Sequence, residues 1–348
     1  MVDVSIIIPI FNGSQWIDKC FEHILLQTCL GKLKIEICVC NDNSADNTLP
    51  LLYKWKNRLL RRNIPLTIYD NNSRKAGGVG YAKNRAVEIS SGHYLCFQDI
   101  DDLMLPDRIL KQYNVAQTIN DNYIIGSKFE RTPVDSTIRY TSWANNLTKE
   151  QLNIQVYTAN GPTVIMPTWF LHRSIFDRIG GFSEAGKGTP EDLIFFYKHI
   201  DLGGKLYRVD EVLLIYNYHI HATTHSIHEE TIWSLRIAQI QMNVIDSWKN
   251  FTIWNAGKQG RKFYKTLFPE NQKKVIAMCD VDRNKIGKFY VPYDPVKRTN
   301  CEPIKIIHFK EAKPPIIICV KLNITDGEFE ANLKSLNLRE GLDYIYFS

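Results

Sequence analysis

Three observations predict an α/β protein, with a smaller α/β unit following the main one. Short apolar, β-branched runs alternate with segments of helical spacing through the first half, which is the signature of an α/β sheet. The same alternation resumes near Phe251. A chain of 348 residues is also long for one compact domain and suits a main domain with an appendage.

The first strand is read over Val4–Phe11, and apolar residues at helical spacing follow over Trp16–Thr28. Strands at Ile35–Cys40, Leu66–Tyr69 and His93–Gln98 enclose helices over Thr48–Leu60 and Val79–Ile89. "DNS" before Ala45 and "GG" before Val79 supply turn and cap chemistry. After Pro106 the pattern becomes irregular, with long Thr- and Asn-rich loops in which Trp143 and Trp169 stand isolated among polar residues. A helix at Glu191–Leu202 and a strand at Arg208–Tyr216 restore it. A helix over Glu229–Trp248 then bridges to "FTIWNAG", a helix at Gln259–Leu267, "KVIAMCD" and "IIICVKL". The expected division is a main domain over 1–228, a linking helix over 229–250 and a second domain over 251–348.

Apolar residues make up 44% and charged residues 23%, which is ordinary for a globular protein with a sizeable core. The net charge of +6 favours an anionic partner such as a nucleotide or RNA, although lysines kept for solubility look the same. No apolar run reaches the roughly 18 residues needed to span a bilayer, so a cytoplasmic protein with no membrane partner is expected. The eight cysteines form no paired C-x-x-C set, which argues against a zinc module or a disulfide framework.

Five constellations carry chemistry. In "FQDIDD" a strand ends and Asp99, Asp101 and Asp102 follow at once. Alternation in an extended chain points Asp99 and Asp101 the same way, so both can face one cation. Three such carboxylates repel unless a divalent metal or a cationic ligand neutralises them, and strand carboxyl ends are where open α/β sheets bind ligands. An acidic loop capping the next helix through Asp102 fits the same residues. In "CNDNSAD", Asp42 is placed to accept from a base edge, and an Asx-turn fits equally well. "AGGVGYAKNR" allows close backbone approach, with Lys83 and Arg85 able to meet a pyrophosphate. "GTPED" sets Glu191 and Asp192 at a helix start, as a general base or as partners of the helix dipole. "YNYHIHATTHSIH" offers His219, His221, His225 and His228.

In order, "VSIIIPIFNGSQWIDKCFEHILLQT", "EICVCNDNSADNT", "GVGYAKNRAVEISSGHYLCFQDIDDLMLPDRI", "GGFSE", "PEDLIFFYK" and "YNYHIHATTHS" resemble the family 2 glycosyltransferases, which have the GT-A fold. The resemblance implies a nucleotide-diphospho-sugar transferase domain followed by a smaller Rossmann-like one. It makes Asp42 the uracil-binding acid and puts Pro9, Phe11 and Asn12 beneath the nucleotide. Lys83, Asp99 and Ile100 fall at the donor as well. Asp99 and Asp101 become the D-x-D pair for Mn²⁺ or Mg²⁺, with His221 close to the metal and diphosphate. Asp192 is the general base and Glu191 its reserve. Two departures stand out: Asn41 replaces a usual Asp, and His219 stands where Arg is common.

The tail from "WNAGKQGRKFYKTLFPENQKKVIAMCD" onward resembles the C-terminal part of family 2 enzymes that galactosylate queuosine in tRNA-Tyr. That implies UDP-galactose as donor and tRNA-Tyr carrying queuosine as acceptor. Another UDP-hexose with a glycan, lipid or protein acceptor is the alternative, and a silent tRNA- or nucleotide-binding module the distant one. Arg261, Lys262 and Lys265 on one predicted helix are the candidate RNA contacts. Read bottom-up, the tail is a strand, a Gly-rich turn and a helix, with an acid ending a second strand. The turn "GKQG" lacks the full G-x-G-x-x-G, which favours a scaffold or acceptor-binding module over a working dinucleotide site.

Overall fold

The computed structural model describes residues 1–219, 226–294 and 298–348, so the expected ligand His221 lies outside the described residues. The chain divides into two compact units, one of residues 1–153 with 161–231 and one of residues 154–160 with 232–348.

The first unit runs β1 (Val4–Ile10), α1 (Ser14–Leu25), β2 (Ile35–Asn41), α2 (Thr48–Leu60), β3 (Leu66–Asp70), α3 (Val79–Glu88), β4 (Tyr94–Phe97) and β5 (Leu103–Met104). It continues with α4 (Arg108–Ala116), β6 (Tyr123–Thr132), α5 (Ile138–Asn146), α6 (Lys149–Ile154), β7 (Phe170–His172), α7 (Arg173–Ile179), α8 (Glu191–Asp201) and β8 (Lys205–Asn217). Its eight strands lie in the order β3-β2-β1-β4-β7-β6-β8-β5. Strands β3, β2, β1 and β4 are parallel, and β7 then reverses direction beside β4. Nearly every residue of β1 and all of β2 are buried, as continuous apolar runs inside a parallel sheet require. Cys38 and Cys40 are core residues, and none of the eight cysteines is in a disulfide.

The structure corrects the irregular reading after Pro106. Helices α4, α5, α6 and α7 and strands β6 and β7 fill that stretch. Trp169 is fully buried, stacked on Phe182 and bonded through Nε1 to the Val164 carbonyl, and Trp143 packs beside Tyr140 on α5. The regularity is hidden because polar side chains occupy core positions here. Fully buried Arg108 donates to Gln98 Oε1 (2.7 Å), the Phe97 carbonyl (2.7 Å) and Gln112 Oε1 (3.2 Å). Gln112 in turn donates to the carbonyls of Ile125 and Thr168, and Gln98 to those of Asp99 and Asp102. This network supports the acidic loop from below.

The second unit holds α9 (Glu229–Asn243) from Ile232 on, β9 (Phe251–Trp254), α10 (Lys258–Thr266), α11 (Pro269–Gln272), β10 (Val275–Asp280) and β11 (Phe289–Tyr290). After these come β12 (Tyr293–Asp294), β13 (Thr299–Asn300), β14 (Ile304–His308), β15 (Ile316–Ile318), α12 (Glu328–Ser335) and β16 (Tyr344–Tyr346). The helix read as a linker therefore belongs almost wholly to this unit and ends at Asn243, five residues short of Trp248. Buried Arg236 explains its placement, donating to the Tyr157 carbonyl, Asn160 Oδ1 and the Ser348 carbonyl, all within the same unit. The main sheet is β11-β14-β10-β9-β15-β16, parallel apart from β11. Its five parallel strands follow the 3-2-1-4-5 order of a Rossmann-like sheet.

Arg108→Met keeps an apolar stem but strips three acceptors of their donor. The first unit should lose about 3 kcal/mol or more, read as an earlier urea-unfolding transition of that unit. An unmoved transition would show that the network is dispensable.

Candidate active site

The ends of β1 and β2 hold each other. Asn12 takes the left-handed conformation (φ 51°), its N–H donates to Ser44 Oγ (2.9 Å), and its Oδ1 accepts from Ala45 N (2.8 Å). The N–H groups opening α1 are capped from the other loop, Gly13 N by Thr48 Oγ1 and Ser14 N by Asp46. A Cβ at Gly13 would sit 2.8 Å from Ile10 Cγ2 and 3.2 Å from Ile100 Cγ2, so glycine lets α1 start against the acidic loop. Phe11 is 57% exposed beside this junction, and Pro9 is half-buried. Ile100 is 8% exposed, and its side chain packs in the core against Gly13.

Asp42 is only 2% exposed, and its carboxylate is already engaged. Oδ1 accepts from Asn71 Nδ2 (2.7 Å) and Gly77 N (2.8 Å), and Oδ2 from Gly78 N (2.8 Å). Of about four acceptor positions on a carboxylate, donors among the described residues fill three. Asn41 donates to Asp70 Oδ1 (2.7 Å).

Helix α3 is the hub. A Cβ on Gly80 would lie 2.0 Å from the Ser183 carbonyl oxygen, so the glycine serves close packing with the "GGFSE" loop. Asn84 clasps that loop through Phe182, accepting from its N–H (2.8 Å) and donating to its carbonyl (3.0 Å). Arg85 pairs with Glu88 (2.7 Å) and Glu184 (3.1 Å). Lys83, 2% exposed, places Nζ 2.8 Å from Glu191 Oε1 and 5.2 Å above the Phe182 ring. Both cations expected to meet a pyrophosphate thus have carboxylate partners. Sequence reading missed these contacts, although Gly80, Lys83 and Asn84 share one helical face and signal it.

Lys83 also sets the electrostatics. Burial disfavours its charge, but Glu191, Asp99 and Asp192 outweigh that and raise its pKa. Asp99 is pushed up to about 6 by burial, with Lys83 opposing and Asp101, Glu191 and Asp192 adding to the rise. Asp192 at the start of α8 is likewise raised to about 6, first by burial, then by Glu191, with Lys83 again opposing. Asp102 is 1% exposed, and its Oδ1 accepts from Asn217 N (2.8 Å), while its buried Oδ2 has no partner. It caps no helix, since α4 begins six residues later. Asp101 Oδ2 lies 2.8 Å from His219 Nε2, and that ring stacks on Trp16 at 5.4 Å. Among the described residues, no third His, Cys, Asp or Glu joins Asp99 and Asp101 in a metal-holding cluster.

In the second unit, Asp280 ends β10 as the sequence suggested, but its oxygens accept from Ala256 N, Val281 N, Asp282 N and Lys285 Nζ. Lys262 lies 4.1 Å over Trp233, and Arg261 5.0 Å over Tyr290 with Nε on the Ala256 carbonyl. Arg261 and Lys265 are exposed.

The sheet topology, the acidic loop at a strand end and the acids that head α8 accord in fold with what the comparisons find. Residues 5–180, half the chain, match Glycosyl transferase family 2, and the chain belongs to that family. It is 35% identical over 119 residues to a chondroitin synthase of Pasteurella multocida, a match covering 33% of this chain and 11% of the synthase. The fold is similar to that of S. aureus TarS 1–349 in complex with UDP-GlcNAc (TM-score 0.52, 18% identity, 76% of this chain and 70% of that one). It is also similar to the mannosyltransferase PcManGT of Pyrobaculum calidifontis in complex with GDP-Man and Mn²⁺ (TM-score 0.50, 16% identity, 70% and 67% covered). No helix among the described residues is long and apolar enough to cross a membrane.

Lys83→Met should move the Asp192 titration above its value of about 6, because the lost cation favours the ionised carboxylate. Carboxyl ¹³C NMR against pH reads it directly. A midpoint that stays or falls would remove Lys83 as the controlling charge.

Proposed function

We propose that this chain is an inverting glycosyltransferase that moves galactose from UDP-galactose to the cyclopentene hydroxyl of queuosine in tRNA-Tyr. The observation that carries the enzymatic part is Asp192, a carboxylate raised to about 6 and standing at the head of α8 in the same acidic site as Asp99. A base with a pKa near the working pH combines availability with driving force. The UDP-GlcNAc complex of TarS supports a UDP-sugar donor. The acceptor rests on the resemblance of the tail, with exposed Arg261 and Lys265 as cations for a phosphate backbone.

A divalent cation belongs to this reading, with two carboxylates, Asp99 and Asp101, offered to it by the chain. Asp99, Asp101 and Asp102 crowd one loop, and Asp99 is raised by burial and by its acidic neighbours, an arrangement that a cation relieves. Asp99 and Asp101 would hold Mn²⁺ or Mg²⁺, which supplies charge neutralisation of the diphosphate leaving group. His219, held by Asp101 and Trp16, keeps the Asp101 carboxylate oriented. Asp192 takes the proton of the attacking hydroxyl. Glu191 is paired with Lys83 and steadies α3 against α8, which leaves Asp192 as the base. A saccharide acceptor is the second reading, favoured by the similarity to a chondroitin synthase.

Asp192→Asn should lower turnover by about 10²–10⁴ with UDP affinity little changed. In wild type, kcat should rise with pH through about 6 and level off above it, since the base acts only when deprotonated. A pH-independent kcat between 5 and 8, or intact turnover in the Asn variant, would remove Asp192 from the role.

The acceptor is tested by incubating the protein with UDP-galactose and total tRNA and analysing nucleosides by mass. Galactosyl-queuosine is expected. Reversing Arg261 and Lys265 to Glu should raise KM for tRNA and leave UDP-galactose hydrolysis intact. Transfer to a saccharide with none to queuosine-containing tRNA would establish the second reading instead.

A further inference from the structure

Arg131, near the end of β6, is a cation without an anion. Among the described residues its guanidinium makes no hydrogen bond or ion pair, and its buried Nε has no partner. Four rings surround its Cζ instead: Tyr216 at 4.3 Å, Tyr218 at 5.3 Å, Phe129 at 5.6 Å and Tyr140 at 5.7 Å. Rings within about 6 Å attract a cation, yet they leave its N–H donors unused. A planar fork of open donors is complementary to an oxyanion.

The stretch leaving β8 separates the two sides of the site. Asn217 N donates to Asp102 and His219 contacts Asp101, whereas the alternate residues Tyr216 and Tyr218 turn to Arg131. Arg131 therefore lies across this segment from the acids assigned to the diphosphate. On its own side it shares Tyr140 with Asp192. Burial holds the Tyr140 phenol well above its ordinary range, Arg131 pulls it down and Asp192 pushes it up.

We propose that Arg131 recognises the acceptor, its guanidinium binding a phosphate group of that molecule while the acceptor hydroxyl faces Asp192. This rests on the reading of Asp192 as the base, and it assigns the acceptor side a phosphate-bearing substrate. The aromatic cage holds the fork in place without competing for its donors.

The test uses the full chain with saturating UDP and Mn²⁺, so that the donor side is filled, and inorganic phosphate as the probe. Calorimetry should show Arg131→Gln weakening phosphate binding by about tenfold or more, with UDP affinity unchanged. In wild type, the Arg131 Nε–H resonance should shift on adding phosphate, a readout that needs no variant to fold. Equal phosphate affinity in the Gln variant, or an unmoved resonance, overturns the proposal. A loss of UDP affinity in the variant overturns it too, since Arg131 would then serve the donor diphosphate. Neither arm requires sugar transfer. If phosphate binding depends on Arg131 but queuosine-containing tRNA receives no sugar, the phosphate site stands and the tRNA reading falls.

Discussion

The ammonium group of Lys83 is buried among Glu191, Asp99 and Asp192, and the rest of the first unit's site depends on it. Three carboxylates crowded into a partly buried cleft resist ionising together unless a positive charge stands among them. Lys83 provides that charge from α3, opposing the upward shift of both Asp99 and Asp192. It also ties α3 to α8, and its neighbours on the same helical face complete the joint. Gly80 lets the Ser183 carbonyl approach, and Asn84 mimics a strand partner for Phe182. One helix face thus determines both where Asp192 stands and how strong a base it can be.

A second buried cation supports the acidic loop by a different means. Among the described residues Arg108 has no carboxylate partner, and neutral oxygens of Gln98, Phe97 and Gln112 satisfy its fork. The difference follows from the groups themselves. A guanidinium spreads its charge over a planar fork that side-chain amides and carbonyls can match, whereas an ammonium is a compact charge that needs a counter-ion when dry. Gln98 then carries the constraint into the loop through the carbonyls of Asp99 and Asp102. Of the loop's carboxylates, Asp101 meets His219, Asp102 accepts from Asn217 N, and Asp99 is opposed by Lys83.

These two networks explain what was legible in the sequence. Strands β1 and β2 were read to within a residue because buried parallel strands are continuous apolar runs. The stretch from α4 to β7 was not, because Arg108, Gln112 and Thr168 occupy core positions that an apolar pattern would need. The acids of the site were visible as motifs, but their partners were not. Glu191 lies 108 residues from Lys83, and His219 lies 118 from Asp101, separations that no local period encodes. Asp42 shows the converse. Its position after a strand suggested a ligand contact, while its actual donors come from Asn71, Gly77 and Gly78, 29 to 36 residues later.

The second unit has a Rossmann-like strand order, yet its first turn is satisfied from within. Asn255 accepts from Gly257 N and donates to the Cys319 carbonyl, filling the turn with its own side chain. A Cβ on Gly260 would lie 1.8 Å from the Asn255 carbonyl oxygen, so this glycine serves the packing of α10 on the strand end. Asp280, at the position where such folds hold a ribose, is bonded to Ala256 N and Lys285 Nζ. A nucleotide would have to displace a side-chain cation and a backbone donor to reach it. The polar groups that make a Rossmann turn a binding site are here employed in holding the turn together. On the surface of this unit, by contrast, Arg261 and Lys265 stand exposed on α10.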